Sequence, residues 1–202
     1  MRLVIPGPEA AEACVRFNRE NRDHLAPWSP LMTVDALDIG FYERTRRQQL
    51  AVEDRGYHFA IFFRSDKDSH DILGWVNLNN IVRGAFQASH LGYSLSAVAE
   101  GRGIMTEALR AVIPFAFDDL QLHRIMANHM PHNIRSAAVL KRLGFEIEGR
   151  AKAYLYIAGA WRDHVLTSLN NPNPLPPQRF ASSPARRDDD DRSMRLRKPF
   201  AV

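Results

Sequence analysis

LGYSLSAVAEGRGIMTEALRAVIPFAFDD, residues 91–119, is the stretch whose reading decides the fold. Leu91, Tyr93 and Leu95 alternate with Gly92, Ser94 and Ser96, the two-residue period of a half-buried strand. Gly101 and Gly103 then allow a tight turn and a close approach to the backbone. From Ile104 the apolar residues fall at Ala108, Ala111, Val112 and Phe115, which is helical spacing. No Ser, Thr, Asp or Asn stands at residues 100–103 to cap that helix, so its first N–H groups lack a local partner. Free N–H groups at the positive end of a helix dipole suit an anion, most often a phosphate. Strand, glycine loop and helix serve dinucleotides, nucleoside triphosphates and coenzyme A alike. The Walker pattern is absent, because no Lys-Ser or Lys-Thr follows the glycines, and the dinucleotide fingerprint lacks its third glycine.

Working outward, a short edge strand is expected at residues 1–5 and a helix at 8–21, with Ala10, Ala11, Cys14, Val15 and Phe17 on its apolar face. A proline-broken loop at 21–30 carries His24 and Trp28, and a second helix is expected at 34–51. Strands follow at 57–64, 71–82 and 90–96, with short turns that suit antiparallel neighbours. The helix from Ile104 contains Pro114, which removes a ladder bond and predicts a kink. A strand at 122–130 precedes a helix opened by Asn133 and closed by Gly144, and two strands joined around Gly159 end the domain. The order β-α-α-β-β-β-α-β-α-β-β predicts a mixed α/β (α+β) domain over residues 1–170, its sheet mostly antiparallel.

Composition bounds the function. With 202 residues the chain has enough apolar content for a full core. It has no apolar run long enough to span a bilayer, and its first residues lack the apolar core of a signal peptide. A single cysteine, Cys14, fits a reducing, cytoplasmic setting and reads as buried packing. No Cys/His cluster has metal spacing. The net charge of +4 belongs mainly to residues 171–202, which hold seven Lys/Arg and four Asp. Residues 1–170 are then almost neutral, with twenty basic and nineteen acidic side chains. The tail is proline-rich, then charged, and reads as disordered and solvated, with weak attraction to RNA as the lesser reading.

EGRGIM, residues 100–105, resembles the pyrophosphate loop Q/R-x-x-G-x-G/A of the GCN5-related N-acetyltransferase (GNAT) superfamily, with Gly103 as the central glycine. Glu100 stands where Gln or Arg is usual, and Met105 where Gly or Ala is usual. Residues 133–145, N-x-x-S-x-x-x-L-x-x-L-G-F, look like the second cofactor motif of that superfamily. HRIMANHMPHNIRSAAVLKRLGFEIEG and YLYIAGAWRDHVL are similar to the branch that acetylates the N-termini of ribosomal proteins. The likeness covers nearly all of residues 1–170.

That resemblance implies a fold in which a splayed pair of parallel strands, residues 90–96 and 122–130, admits acetyl-CoA. It implies that Gly101, Arg102, Gly103, Ile104, Met105 and Thr106 hold the pyrophosphate, largely through backbone N–H groups, with Glu100 turned away. Tyr93, Leu95 and Ser96 would pair with the pantetheine arm, Asn133 and Ser136 would reach it from the next helix, and Lys141 and Arg142 would approach phosphates. Ser136 would protonate or stabilise the leaving thiolate, and Glu148 would be the base, with His129 and His132 as rivals. An α-amino group with a pKa near ~8 needs only a modest base. Direct attack suffices when both reactants are oriented. Trp28, Asn80, Arg83, Tyr154 and Trp161 are candidate walls for the acceptor, and Asp163 could attract an amine or pair with an arginine. Plain structural roles stay open to each: Asn133 as an N-cap, Ser136 and Glu148 as exposed residues, the aromatics as packing. The acceptor is read as the N-terminus of a ribosomal protein, the enzyme as a monomer or homodimer with no metal. Acetylation of a small amine and a non-catalytic coenzyme A-binding assembly role are the alternatives.

Overall fold

The computed structural model describes residues 1–50, 56–63, 71–176 and 200–201. In chain order these form β1 (Arg2–Val4), α1 (Ala11–Glu20), α2 (Arg22–Leu25), α3 (Ile39–Leu50), β2 (Gly56–Phe62), β3 (Gly74–Val82), β4 (Ala88–Leu95), α4 (Ile104–Pro114), β5 (Arg124–His129), α5 (Ile134–Arg142), β6 (Glu146–Ile157), β7 (Ala160–Asn170) and β8 (Phe200–Ala201). The expected order is present, with two additions. The proline-broken loop contains the single turn α2, and the two-residue β8 pairs antiparallel with β1. Residues 171–176 have no regular structure, and 177–199 and 202, where the tail was expected to be disordered, lie outside the described residues.

Two helices depart from expectation for local reasons. Residues 34–37 form a 3-10 turn instead of the first turn of α3. Asp38 is extended, and its Oδ1 accepts from the Phe41 N–H at 2.5 Å, so the aspartate starts a new helix. In α4, Pro114 has no N–H to continue the ladder, and the chain widens into a π turn at Phe115–Asp119, closed by Leu120 N–H donating to Phe115 O at 3.0 Å.

The sheet runs β6-β7-β5-β4-β3-β2-β1-β8, and every neighbouring pair is antiparallel except β4 with β5. That parallel pair is short. Only Ala88, Ser89 and His90 face Arg124, Ile125 and Met126; from Leu91 onward β4 has no β5 partner. Helices cover both faces. Leu109 and Val112 of α4 and Leu140 of α5 pack with Val76, Leu78, Leu91 and Ile125. Each such buried side chain contributes roughly 2 kcal/mol. On the other face Cys14 and Phe17 of α1 pack with Ala60, Phe62 and Trp75. Cys14 is 1% exposed, and burial pushes its thiol pKa up, as suits packing rather than nucleophilic attack.

Candidate active site

The opening between β4 and β5 is the centre of the site. Alternation along β4 sends Leu91 and Tyr93 toward α4 and α5, and His90, Gly92 and Ser94 toward α1 and α3. In the open segment the Tyr93 hydroxyl lies 2.7 Å from Ser136 Oγ, the first turn of α5. Burial holds the Tyr93 phenol up at about 12, against the lowering effect of that hydrogen bond, so it stays protonated near neutrality. A protonated phenol can donate to Ser136 Oγ and leave the serine proton free for another acceptor. Ser136 is placed by Asn133, whose Oδ1 accepts the Ser136 N–H at 3.1 Å as the cap of α5.

The start of α4 is built for an anion. Gly103 is its N-cap at φ 75°, with no side-chain cap bond, as the sequence indicated. Gly101 also has positive φ, and nothing lies within 4 Å of where a Cβ would stand on either glycine. The N–H groups of Ile104, Met105 and Thr106 open the helix, while the side chains of all three are buried in the core. Arg142 donates to Thr106 Oγ1 at 3.2 Å, which brings a guanidinium to this first turn. Arg102 lies over the Phe63 ring, 5.0 Å from its centroid. Glu100 is occupied by Arg135, at 2.5 Å, and by His24, at 3.5 Å, which neutralises an acid that phosphate would repel. Beside this turn, the β4 edge that β5 leaves unpaired includes Tyr93 and Leu95, and Ser96 Oγ is buried without a partner. These groups fit a pyrophosphate followed by an amide-rich arm, as coenzyme A carries.

The opposite face of the same opening holds a cavity of about 390 Å³, within the range of small-ligand sites. Its walls include Arg22 of α2, Tyr42 and Arg46 of α3, His58 of β2, Asn77 of β3 and Ser94 of β4. Ser94 belongs to the open part of β4, so the cavity meets the strand opening. Burial, then the nearby Arg46, pushes the His58 pKa down to about 4, so this imidazole is neutral near pH 7. Sequence reasoning singled out none of these six residues. The available signal was the alternation Asn77, Asn79 on β3, polar residues either side of the buried Leu78.

Other groups close the cleft. Trp28 stacks near His132, ring centroids 5.6 Å apart, and the Ala158 N–H of the β6–β7 turn donates to Ser29 O at 3.1 Å. A bulge in β6 between Ala151 and Leu155 places Ala153 at φ 48°, pinned by its N–H to Asp163 Oδ1 at 2.9 Å. Asp163 thus supports the bulge, and no ion pair of it with an arginine is found among the described residues. The bulge brings Tyr154 to β5, where its hydroxyl accepts from Asn128 Nδ2 at 3.3 Å. His129 is buried, with Nδ1 on Met130 O at 2.9 Å.

The structure does not gather every expected residue. Asn80 and Arg83 stand at the β3–β4 hairpin, the end of β4 opposite to the opening, and Arg83 donates to Leu120 O at 2.5 Å. They are corrected to hairpin and packing residues: the antiparallel register of β3 carries them away from Ser94. Trp161 is 64% exposed near the β6–β7 turn and edge-on to Tyr156. Glu148 lies on the acceptor face near the base of the opening, but both oxygens are engaged. Arg124 donates to one, and Ser168 Oγ to the other at 2.9 Å. Arg124, more than Ser168, draws the Glu148 pKa below the usual carboxylate value. A carboxylate so held is a weakened base. No contact of the Lys141 side chain distinguishes it among the described residues.

A two-sided opening of this kind, with free helix N–H groups at one mouth and a polar cavity at the other, suits a protein that brings a phosphate-bearing ligand to a second reactant. The chain matches the acetyltransferase (GNAT) domain over residues 2–146 and belongs to that family. It is 44% identical over 162 residues to the [ribosomal protein uS5]-alanine N-acetyltransferase of Escherichia coli (strain K12), covering 79% of this chain and 82% of that protein. Among solved structures it is similar to the ribosomal-protein-S5-alanine acetyltransferase of Vibrio fischeri, with a TM-score of 0.82 and 38% identity over 86% of this chain and 94% of that one. RimJ of Mycobacterium smegmatis, solved in complex with CoA-disulfide, matches with a TM-score of 0.75 and 31% identity, covering 83% of this chain and 80% of that one. Among the described residues no helix is long and apolar enough to cross a membrane, and no acidic, His and Cys group could hold a metal ion.

Proposed function

We propose that this enzyme transfers the acetyl group of acetyl-CoA to the α-amino group of a ribosomal protein whose first residue is alanine, in the cytoplasm. The observation that carries the reading is the 44% identity to the E. coli uS5-alanine N-acetyltransferase over 82% of that protein. Acetyl-CoA supplies a thioester carbonyl for attack and a thiolate as leaving group. The chain supplies the rest. The N–H groups of residues 103–106 and Arg142 hold the pyrophosphate, and the free edge of β4 at Tyr93–Leu95 aligns the arm in the opening. Ser136 Oγ, accepting from Tyr93, donates a hydrogen bond to the leaving sulfur and stabilises the thiolate, which leaves as the anion or takes its proton from water. Asn133 fixes that serine on α5.

On the other face, the acceptor enters by the cavity that Arg22, Asn77 and Ser94 line, and the Trp28 loop and the β6–β7 turn close over it. Its amine has a solution pKa near ~8, so an appreciable fraction is neutral at pH 7. Arg22 in the cavity wall disfavours the ammonium further. The proton leaves to water, and Glu148 acts structurally through Arg124. A polyamine acceptor is disfavoured, because the described cavity walls carry two arginines and no carboxylate.

Steady-state assays with acetyl-CoA test the reading. An alanine-initiated peptide with a free N-terminus is acetylated on its α-amine, while the same peptide with a blocked N-terminus and spermidine are not. Turnover of spermidine at the greater kcat/KM would overturn the assignment.

A further inference from the structure

Asn77 stands in the wall of the acceptor-face cavity, and its Oδ1 is buried without a partner among the described residues. A carboxamide oxygen left so costs free energy that a matching N–H donor restores. The strand register fixes where that donor would stand. Asn77 pairs with His58 on β2 and with Gly92 on β4, so an imidazole flanks it on one side and no side chain on the other. Chain neighbours apart, only Asn79 Nδ2, at 3.8 Å, lies within 4 Å of where a Cβ would stand on Gly92. Glycine inside a strand often marks a close approach by another backbone or a ligand. From Leu91 onward β4 has no β5 partner, so Gly92 borders the opening itself. Asn77 therefore lies one strand from the opening, with only the Gly92 backbone between. Neighbouring strands are about 4.8 Å apart, and an extended chain advances about 3.4 Å per residue. An α-amine held at the opening thus brings the N–H of the very next residue within reach of Asn77.

We infer that Asn77 Oδ1 accepts the peptide N–H of the acceptor's second residue, so that the enzyme selects for an N–H at that place and against proline there. This rests on the acceptor being a protein N-terminus. The bond holds the first residue from behind while its amine faces the thioester, and orientation of that kind acts on the rate as well as on binding. An amide oxygen is not basic, so Asn77 takes no proton; it places the acceptor. Gly92 serves the same end, because a side chain there would stand between Asn77 and the opening. Proline has no N–H to give and leaves the oxygen unpaired.

The test uses the full-length enzyme, acetyl-CoA and two alanine-initiated peptides, alike except that in one an ester oxygen replaces the second residue's N–H. For the wild type, kcat/KM for the amide peptide is expected to exceed that for the ester by about tenfold or more, and a peptide with proline second is expected to do no better than the ester. Asn77→Leu, checked for folding by circular dichroism, is expected to lower kcat/KM for the amide peptide by a similar factor. It should bring the two peptides within about twofold of each other and leave coenzyme A affinity unchanged. Asn77→Ala, which adds no bulk, gives the same reading should Asn77→Leu not fold. Equal kcat/KM for amide and ester in the wild type, or a preference undiminished in the folded variant, would overturn the inference and leave the proposed function standing. Acetylation of neither peptide, with coenzyme A binding demonstrated separately, would overturn the proposed function and this inference with it.

Discussion

At the scale of single residues, the contact between Tyr93 and Ser136 is the one on which the proposed chemistry turns. Ser136→Ala removes the hydroxyl that would face the leaving sulfur, and kcat is expected to fall by about a hundredfold or more with little change in the KM for acetyl-CoA. Tyr93→Phe keeps the ring and removes only the donor, so the expected loss is smaller. Stopped-assay kinetics on both variants check the order. Glu148→Gln is expected to keep kcat within about threefold, because its carboxylate is already committed to Arg124 and Ser168. Its pH signature lies in stability. The native pKa is lowered, so the pair's contribution is full above the ordinary carboxylate value and is lost as pH falls through the native one. His58 has the same sign at a higher window. The unfolded state takes a proton near pH 6.5 while the native state waits until about 4, so stability declines as pH falls between them. Thermal melts of His58→Gln should show a flatter decline over that window than wild type. Asn133 was legible as the cap of α5. Asn77, Ser94 and Arg46 were not, because a polar residue facing a cavity looks like any other polar residue until the neighbouring helices are in place.

At the scale of elements, the proposal places the cofactor on two helix starts. Gly103 caps α4 in the left-handed region with open space where a side chain would stand. Gly103→Val brings a β-branched residue into that conformation, at roughly 1–2 kcal/mol, and covers the N–H groups with a side chain. Calorimetry is expected to show coenzyme A affinity weakened by about tenfold or more; unchanged affinity would dismiss the loop assignment. Asn133→Ala removes the cap of α5 and should cost about 1 kcal/mol, read as a lowered Tm, with kcat also reduced because Ser136 loses its anchor. These elements were readable in advance because glycines, caps and period-two alternation are local. The bulge at Ala153 was not. It depends on Asp163 ten residues away on the paired strand. The late start of α3 had a local cause in Asp38, which competes with the helix pattern that begins at Val34.

At the scale of the whole molecule, the short parallel contact between β4 and β5 organises everything else. Three residue pairs hold the strands together, and beyond them the two mouths of one opening face different partners. The order of strands and helices was legible because each segment is long and periodic. Which end of the sheet forms the site depended on register, and so Asn80 and Arg83 were placed at the wrong end from sequence. Acetyl transfer to a ribosomal N-terminus is the central claim, and intact-protein mass spectrometry tests it most directly. Ribosomal proteins from cells lacking this activity would be incubated with the enzyme and acetyl-CoA. The account predicts one acetyl group on one protein, located at its N-terminal alanine and lost with Ser136→Ala. No mass change on any ribosomal protein, under conditions where coenzyme A binds, would contradict it.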